Sequence, residues 1–331
     1  MIINNRAYAR AGVFGNPSDG YFGKVIAITV KNFYAEVTLR ESQDLRIEEK
    51  KQDLNVYRNI HDLVNKINLY GYYGGVRLIR ATIKKFHDYC MSQDIRLEDK
   101  NFTIQYDSNI PRQLGLGGSS AIITAAIRSL MEYYDVKIPI EILPSIVLDV
   151  ELKELGINAG FMDRVVQVYE GSIYMDLDSE IIREKGHGIY ERLDTKLIPE
   201  LYLAYKPELG KVSGHVLDDI RAGYEKGDRL VINTLKRIAE IAEIGKKALL
   251  HGNIDELHDL MNENFDLRSK IMKISDSNLE MIQTARRCGA SAKFAGSGGS
   301  IIGMYKDDDM FSRLASELEK IQAKVFKPVI D

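Results

Sequence analysis

The sequence is poor in the residues and segments that mark secreted, membrane-spanning and nucleic-acid-binding proteins. Its only cysteines, Cys90 and Cys288, are too few for a disulfide framework or a cysteine-rich metal site. No apolar run approaches the ~18 residues that a helix needs to cross a bilayer, and the opening MIINNRAYARAG lacks the apolar core of a signal peptide. We therefore expect a soluble, cytoplasmic protein with no membrane partner.

A surplus of one charge sign is also lacking. The chain carries 45 basic against 48 acidic residues, a net charge of −3, and no block of like charge. Because nucleic-acid binding usually needs a basic patch, we expect no nucleic-acid partner. The remaining composition, 45% hydrophobic and 28% charged, is ordinary for a globular protein. The length of 331 residues predicts about two domains.

Both halves of the chain contain predicted strands and predicted helices, which indicates two α+β domains. Val, Ile, Thr and aromatic residues in 23–42 predict two strands with a turn near Lys31 and Asn32. Residues 178–196 are polar and irregular in pattern, which makes this segment the candidate boundary between the domains. We predict one domain over residues 1–190 and a second over residues 191–331.

A glycine-rich loop precedes the most apolar predicted helix. It contains Gly115, Gly117 and Gly118, followed by Ser119 and Ser120. Free backbone N–H groups and the positive end of the helix dipole bind phosphate at such a site. The serines are N-cap candidates, and their hydroxyls suit phosphate or Mg²⁺. The alternative is a plain glycine turn before a capped helix. Neither the Walker A pattern nor the dinucleotide fingerprint fits the loop.

A second glycine cluster, comprising Gly296, Ser297, Gly298 and Gly299, lies between two predicted strands. Alone it is explained equally well as a hairpin turn. Two glycine loops in one chain favour a polyphosphate that is held from both sides.

The N-terminal segment combines a basic residue with a polar turn. Arg10 precedes a turn that contains Asn16, Ser18 and Asp19. Short polar side chains on a rigid turn suit the hydroxyl groups of a sugar. The alternative is a solvated surface turn beside a solvated arginine.

Acidic residues cluster in the segment ELKELGINAGFMDRVVQ. Glu151 and Glu154 lie one turn apart on a predicted helix, so they can share one side of it, and Asp163 adjoins Arg164. These residues are interpreted either as solvated acids or as a Mg²⁺ ligand with an aspartate that faces a hydroxyl nucleophile.

These segments, in this order, resemble the motifs of the GHMP kinase superfamily. Its central motif, Pro-x-x-x-Gly-Leu-Gly-Ser-Ser-Ala, is matched by residues 111–121 with one extra glycine before the serine pair. The segment 293–299 resembles the third motif. Arg10 stands five residues before Gly15, as Arg or Lys does in the sugar kinases of the family. Residues 160–163, Gly-Phe-Met-Asp, resemble the context of the catalytic aspartate.

Longer strings between about residues 8 and 305 resemble the plant-type glucuronokinases within this superfamily, among them IPRQLGLGGSSAI and KELGINAGFMDRVVQVYEG. The resemblance implies an α+β fold of two domains. The N-terminal domain would be ribosomal-protein-like and the C-terminal domain ferredoxin-like, with ATP between them. The reaction would transfer the γ-phosphoryl group of ATP to the anomeric hydroxyl of D-glucuronate.

The resemblance also implies roles for particular residues. Asp163 would take or orient the hydroxyl proton, and Arg10 would stabilise the developing charge. Glu151 would hold Mg²⁺ together with Ser119, which is favoured over Ser120. The ATP phosphates would be bound by residues of the two glycine loops: Gly115, Leu116, Gly117, Gly118, Ser119, Ser120, Gly296, Ser297 and Gly298.

The substrate would be a small sugar or uronate, held by Asn16, Ser18 and Asp19. A uronate carboxylate needs a cationic partner, and the ranked candidates are Arg164 and Arg268 ahead of Arg112 and Lys24. Tyr72 and Tyr73 are candidate neighbours of adenine.

Two alternative functions stay open. One is a GHMP kinase for another sugar, such as galactose, fucose or a heptose phosphate. The other is a nucleotide-binding regulator without catalysis, against which the presence of both Arg10 and Asp163 argues. Nothing in the sequence indicates the oligomeric state.

Overall fold

The first half of the chain builds a sheet of long strands. The computed structural model describes residues 1–48, 74–208 and 218–331. The strands of this sheet are β1 (Ile2–Phe14), β2 (Lys24–Ser42), β3 (Arg46–Ile47), β4 (Asn101–Ser108), β5 (Ser172–Asp176) and β6 (Ile189–Leu193). Their order is β3-β4-β2-β5-β6, with β1 paired to β2. All described pairs are antiparallel except β3 with β4.

The turn predicted near Lys31 and Asn32 is wrong, because β2 continues through this position as one strand. The register with β1 moves from Tyr8 opposite Tyr34 to Ala9 opposite Val30. Residues 31–33 are therefore the extra residues of a bulge, which bends a strand without reversing it.

Five described helices accompany this sheet. They are α1 (Gly75–Ser92), α2 (Gly118–Tyr134), α3 (Leu143–Asp149), α4 (Met162–Tyr169) and α5 (Ser179–Lys185). The apolar helix α2 packs on β1, β2 and α1, and buries Ile123, Ala126 and Ile127 completely. This packing fixes the position of the glycine loop that immediately precedes the helix.

The predicted helix that carries Glu151 and Glu154 does not continue as an α-helix through these residues. After α3 the chain continues as a π-helical turn over Val150–Glu154. Such wide turns are rare in proteins and occur frequently at functional sites.

The second half of the chain builds a four-stranded antiparallel sheet. Its strands are β7 (Leu201–Tyr205), β8 (Lys293–Phe294), β9 (Ser300–Met304) and β10 (Lys324–Phe326), in the order β10-β7-β9-β8. The described helices here are α6 (Asp218–Glu225), α7 (Arg229–His251), α8 (Ile254–Arg268), α9 (Asp276–Arg287) and α10 (Asp308–Lys320). The helices between β7 and β8, the β8–β9 hairpin, and α10 before β10 give the βαββαβ order of ferredoxin-like domains.

The change from one sheet to the other follows β6, which still pairs with β5 of the first sheet. The next strand, β7, belongs to the second sheet. We propose that the domain boundary expected at residue 190 lies in the link between these strands, residues 194–200.

Two smaller observations concern the features that the sequence lacks. Cys90 and Cys288 are both free thiols, as expected. In the described parts of the chain, no helix has both the length and the apolar character of a membrane span.

Candidate active site

A cavity of about 770 Å³ brings together both glycine loops, the N-terminal turn and the acidic cluster. The first half of the chain contributes Arg10 and Asp163 to its wall, and the second half contributes Arg268, Gly296 and Ser297. Cavities of this size hold small-molecule ligands. Segments far apart in sequence therefore form one site.

The first glycine loop requires glycine at two positions. Gly115 and Gly117 have φ of +66° and +78°, in the left-handed region that favours glycine. A Cβ on Gly117 would lie 2.9 Å from Gln167 Nε2 and 3.3 Å from an oxygen of Asp163. Gly118 differs, since among the described residues its Cβ would meet only Ile110, at an ordinary 3.6 Å. The extra glycine is thus the first residue of α2, where steric contacts do not require it.

The two serines after the loop have different environments. Ser119 lines the cavity, and its Oγ donates to Glu151 Oε1 at 2.6 Å. Ser120 is buried, does not line the cavity, and donates to the Gly117 carbonyl at 3.1 Å. The prediction that a serine caps α2 is wrong, because Gly117 is the N-cap and both serines lie in the first turn. No side-chain cap is described, so the first N–H groups of the helix remain available to an anion.

The second glycine loop packs directly on the first. A Cβ on Gly296 would collide with the Gly115 carbonyl, and a Cβ on Gly115 would lie 2.8 Å from the backbone nitrogen of Ser297. Ser300 adds a hydrogen bond of 2.6 Å to the Leu114 carbonyl. Leu116, Gly296 and Ser297 line the cavity, but Gly298 does not. The two loops therefore enclose one side of the cavity together.

Arg10 and Asp163 form a buried ion pair at the cavity wall. The Arg10 Nη2 lies 2.7 Å from Asp163 Oδ1, and the side chains are only 6% and 14% exposed. Arg10 also donates through Nη1 to the Gly115 carbonyl, and its backbone nitrogen donates to the Leu116 carbonyl at 3.2 Å. Arg10 thus fixes the acidic group relative to the glycine loop.

A second buried pair joins Arg164 to Glu151. Arg164 contacts Glu151 Oε2 and donates to the Gly160 carbonyl at 2.8 Å. Glu154 instead pairs with Lys84 at 2.9 Å near the surface. The expectation that both glutamates face one side is wrong, because the π turn rotates them apart.

The three predicted sugar-binding residues of the N-terminal turn have different positions. Asp19 lines the cavity and accepts from the backbone nitrogen of Met162 at 3.2 Å. Asn16 also lines the cavity, but its amide donates to the Phe294 carbonyl at 3.2 Å. Ser18 does not line the cavity, and its hydroxyl donates to the Lys24 carbonyl at 3.0 Å. The structure thus brings Asp19 and Asn16 to the site and leaves Ser18 to support the turn.

Burial and the neighbouring Asp163 raise the pKa of the Asp19 carboxyl above its ordinary value. Gly160 packs so closely against Asp19 that a Cβ on Gly160 would overlap the carboxylate. The glycine before the Asp163 segment is therefore needed to admit this acid to the wall.

Lys293 is a buried residue behind the N-terminal turn whose contacts the sequence did not reveal. Its buried amine donates to the Gly12 carbonyl at 2.8 Å, to the Phe294 carbonyl at 3.0 Å and to Asn16 Oδ1. Burial, together with nearby Arg268 and Arg10, lowers the pKa of this amine well below its ordinary value. Lys293 joins the second sheet to the N-terminal turn. Its place beside a glycine loop was the only sequence signal.

Gln167 is a second residue that the sequence did not reveal. Its Nε2 donates to the Gly117 carbonyl at 2.7 Å, and the side chain is buried. It lies one helical turn after Asp163, a spacing that places both side chains on one face of α4.

The candidate cations for a uronate carboxylate differ in whether they line the cavity. Arg112, Arg164 and Arg268 line the cavity, whereas Lys24 does not and pairs with Glu243 at 2.7 Å. Tyr72 and Tyr73, the candidate neighbours of adenine, lie outside the described residues.

Comparison with known protein families assigns the chain to a family. Residues 77–171 match the model of the GHMP kinases N terminal domain, and residues 246–324 match that of the GHMP kinases C terminal domain. The chain belongs to the GHMP kinase family. The predicted resemblance and the predicted two-domain α+β fold are confirmed.

Curated relatives extend the similarity of this GHMP kinase over nearly its whole length. It is 44% identical over 306 residues to a protein named Glucuronokinase 1 of Arabidopsis thaliana. The matched region covers 91% of this chain and 84% of that protein. It is 42% identical over 335 residues to Probable glucuronokinase 2 of Arabidopsis thaliana, covering 99% and 91%.

A solved structure of a phosphomevalonate kinase shares the fold. The protein is from Streptococcus pneumoniae and was solved in complex with phosphomevalonate and AMPPNP. Its TM-score is 0.76 at 15% identity, and the match covers 98% of this GHMP kinase and 99% of that chain.

Proposed function

We propose that this GHMP kinase transfers the γ-phosphoryl group of ATP to the anomeric hydroxyl of D-glucuronate and gives glucuronate 1-phosphate. The observation that carries the proposal is the Arg10–Asp163 ion pair at the wall of a cavity that two glycine loops enclose on one side. The choice of substrate rests on similarity to proteins named glucuronokinases. An intact ion pair also favours an enzyme over a regulator without catalysis.

The ATP phosphates bind at the N-terminus of α2 in this proposal. Gly117 and Gly118 present backbone N–H groups there, and the helix dipole adds partial positive charge. Gly296 and Ser297 approach from the second loop. Gly115, Leu116, Ser120 and Gly298 support the loop conformations.

Mg²⁺ fits the donors that this wall offers. No group of three His, Cys, Asp or Glu side chains that could hold a metal exists among the described residues. Mg²⁺ is usually held by one or two carboxylates together with substrate phosphates and water, and Glu151 with Ser119 supplies a carboxylate and a hydroxyl in contact. These two residues would hold the ion, which neutralises charge on the phosphates when bound.

Asp163 and Arg10 act on the sugar hydroxyl. Asp163 has an exposed edge in the cavity and accepts or orients the proton of the attacking hydroxyl. Arg10 holds this carboxylate in place and stabilises negative charge that develops during transfer. An anomeric hydroxyl is more acidic than an ordinary alcohol, so a modest base suffices.

Asp19 is positioned to accept hydrogen bonds from the other sugar hydroxyls. Asn16 contributes mainly through its hydrogen bonds with Lys293 and Phe294, which order the turn beside Asp19. Arg164 and Arg268 remain the cationic residues proposed near the uronate.

The experiment is an assay of ADP release with free sugars as acceptors. Glucuronate, glucose, galactose, fucose and a heptose phosphate are compared at equal concentration, with Asp163→Asn as the background for ATP hydrolysis. The proposal expects the highest kcat/KM for glucuronate. A higher kcat/KM for a neutral sugar would mean that this sugar, and not glucuronate, is the substrate. If no sugar increased the release of ADP, the assignment as a sugar kinase would be contradicted.

A further inference from the structure

The described residues that line the cavity include four arginines, Arg10, Arg112, Arg164 and Arg268. Arg10 pairs with Asp163 and Arg164 with Glu151. Arg112 is exposed and lies just before the first glycine loop. Arg268 is only 2% exposed, yet no carboxylate of the described chain lies within ion-pair distance of it. It is the buried cation of this wall without an ion pair among the described residues, and Asp19 stabilises its charge only from a longer distance.

All described hydrogen-bond partners of Arg268 are neutral. Its Nη1 donates to the Gly296 carbonyl at 2.7 Å, its Nη2 to the Ser297 carbonyl at 3.3 Å, and its Nε to the sulfur of Met272 at 3.1 Å. The guanidinium also lies 5.2 Å from the ring centre of Phe294. Because a guanidinium has five N–H groups, one N–H on each terminal nitrogen has no partner among the described residues. These contacts hold the guanidinium group rigidly and leave two N–H donors for a ligand.

A buried cation without an anionic partner is costly. Burial lowers the pKa of the Arg268 guanidinium to about 10, so the group is still charged near neutral pH. The position of Arg268 as the last residue of α8, at the negative end of the helix dipole, offsets part of this cost. A charge maintained in this way at a cavity wall is suited to an anion that arrives with the substrate.

Gly296 connects Arg268 with the reaction centre. Its carbonyl accepts from Arg268, and a Cβ on Gly296 would lie 2.8 Å from Arg10 Nη1. One residue therefore separates the two guanidinium groups. A hexuronate has its anomeric hydroxyl and its carboxylate on the two carbons that flank the ring oxygen, so both can reach neighbouring groups of one wall.

We propose that Arg268 is the specificity residue of this kinase and binds the uronate carboxylate through its two remaining N–H groups. This inference rests on the proposed function. The planar fork of arginine matches the two oxygens of a carboxylate. Arg164, ranked beside Arg268 from the sequence, is instead held by Glu151 and supports the Mg²⁺ ligand.

The test compares glucuronate with glucuronamide, which has the same shape and no charge. In wild type, glucuronate should be the better substrate. Arg268→Met should lower kcat/KM for glucuronate by about 30- to 3000-fold, the range for truncating one partner of a buried charge pair. The value for glucuronamide should change by less than about threefold, and so should the KM for ATP. Arg237→Met is the matched control, since Arg237 pairs with Glu263 outside the cavity.

Other outcomes have distinct meanings. Equal losses for both substrates, or a raised KM for ATP, would overturn the inference and assign Arg268 to loop support or to the phosphates. If Arg268→Met does not fold, Arg268→Lys gives the answer, because it keeps the charge and loses the fork. An unchanged ratio of glucuronate to glucuronamide in Arg268→Lys would also overturn the inference. A wild-type preference for glucose over glucuronate would instead contradict the proposed function itself.

Discussion

The two buried ion pairs of the cavity wall, Arg10–Asp163 and Arg164–Glu151, use adjacent residues of helix α4 in different ways. Asp163 keeps 14% of its side chain exposed and pairs with an arginine from strand β1. Glu151 is 1% exposed, pairs with Arg164 and accepts from Ser119. One acid thus faces the space where a substrate fits, and the other faces the serine of the glycine loop.

The difference shows how neighbouring carboxylates can be buried with separate tasks. A buried carboxylate needs a paired cation and hydrogen bonds, and each acid has its own arginine. Arg164 lies 3.6 Å from Asp163 as well as in contact with Glu151, so the two pairs are also electrostatically connected. Because each acid still has its own arginine, a substitution aimed at one pair is expected to impair a different part of the reaction from a substitution aimed at the other.

The largest effect is expected for Asp163→Asn. Turnover should fall by about 10²- to 10⁴-fold, because an oriented acceptor for the hydroxyl proton is lost. The affinity for ATP, measured by calorimetry, should stay nearly unchanged, since the proposed ATP contacts lie on the glycine loops. A kcat close to that of wild type would remove Asp163 from the mechanism.

The glycine loop offers a matched pair of substitutions beside Asp163. Gly117→Ala should lower kcat/KM by about 100-fold, the scale of a small misplacement in an active site, because its Cβ enters the space of Gln167 and Asp163. Gly118→Ala should change kcat/KM by less than about threefold and stabilise the fold by about 0.4–1 kcal/mol. Steady-state kinetics and thermal unfolding measure both. Equal losses of activity would mean that the contacts at residue 117 are not decisive.

The serine pair tests the Glu151 side of the comparison. Ser119→Ala should raise the Mg²⁺ concentration needed for half-maximal rate by about 10-fold or more, since a hydroxyl at the metal site is lost. Ser120→Ala should leave this concentration unchanged and cost about 1 kcal/mol of stability through the lost bond to Gly117. A titration of activity with Mg²⁺ decides between them. The reverse pattern would move the metal ligand to Ser120.

The smallest effect is expected from Asp19→Asn. A carboxyl whose pKa is raised in the folded state destabilises the protein once the pH exceeds its unfolded pKa of about 3.9. The variant should therefore be more stable than wild type at pH 7, by about 0.5–2 kcal/mol. This gap should shrink as the pH falls towards 4. Unfolding in denaturant at several pH values measures it, and a less stable variant at pH 7 would show that the Met162 contact outweighs the charge.

The sequence predicted the parts of the site that local motifs encode. Gly115 and Gly117 need φ values that glycine alone adopts readily, and a helix follows them directly. Arg10 and Asp163 were found through the family resemblance, because their sequence contexts are short and continuous. The two glycine loops were expected to act together, and their backbones are in contact.

The errors arise where the outcome depends on features that residue periodicity does not show. The strand at Lys31 continues because β1 supplies a partner on both sides of a bulge. Glu151 and Glu154 face different directions because they lie on a π turn, which residue periodicity does not reveal. The amine of Lys293 is held by the Gly12 carbonyl and the Asn16 amide oxygen of the N-terminal segment, more than 270 residues away along the chain. Sequence periodicity contains no information on such contacts.

The position of the transferred phosphate tests the central claim most directly. Wild-type kinase is incubated with ATP, Mg²⁺ and D-glucuronate, and the product is examined by phosphorus NMR. The account predicts one sugar phosphate whose phosphorus couples to the anomeric proton, and none with Asp163→Asn over the same time. Phosphate on any other hydroxyl, or glucuronate left unmodified by the wild-type kinase, would contradict it.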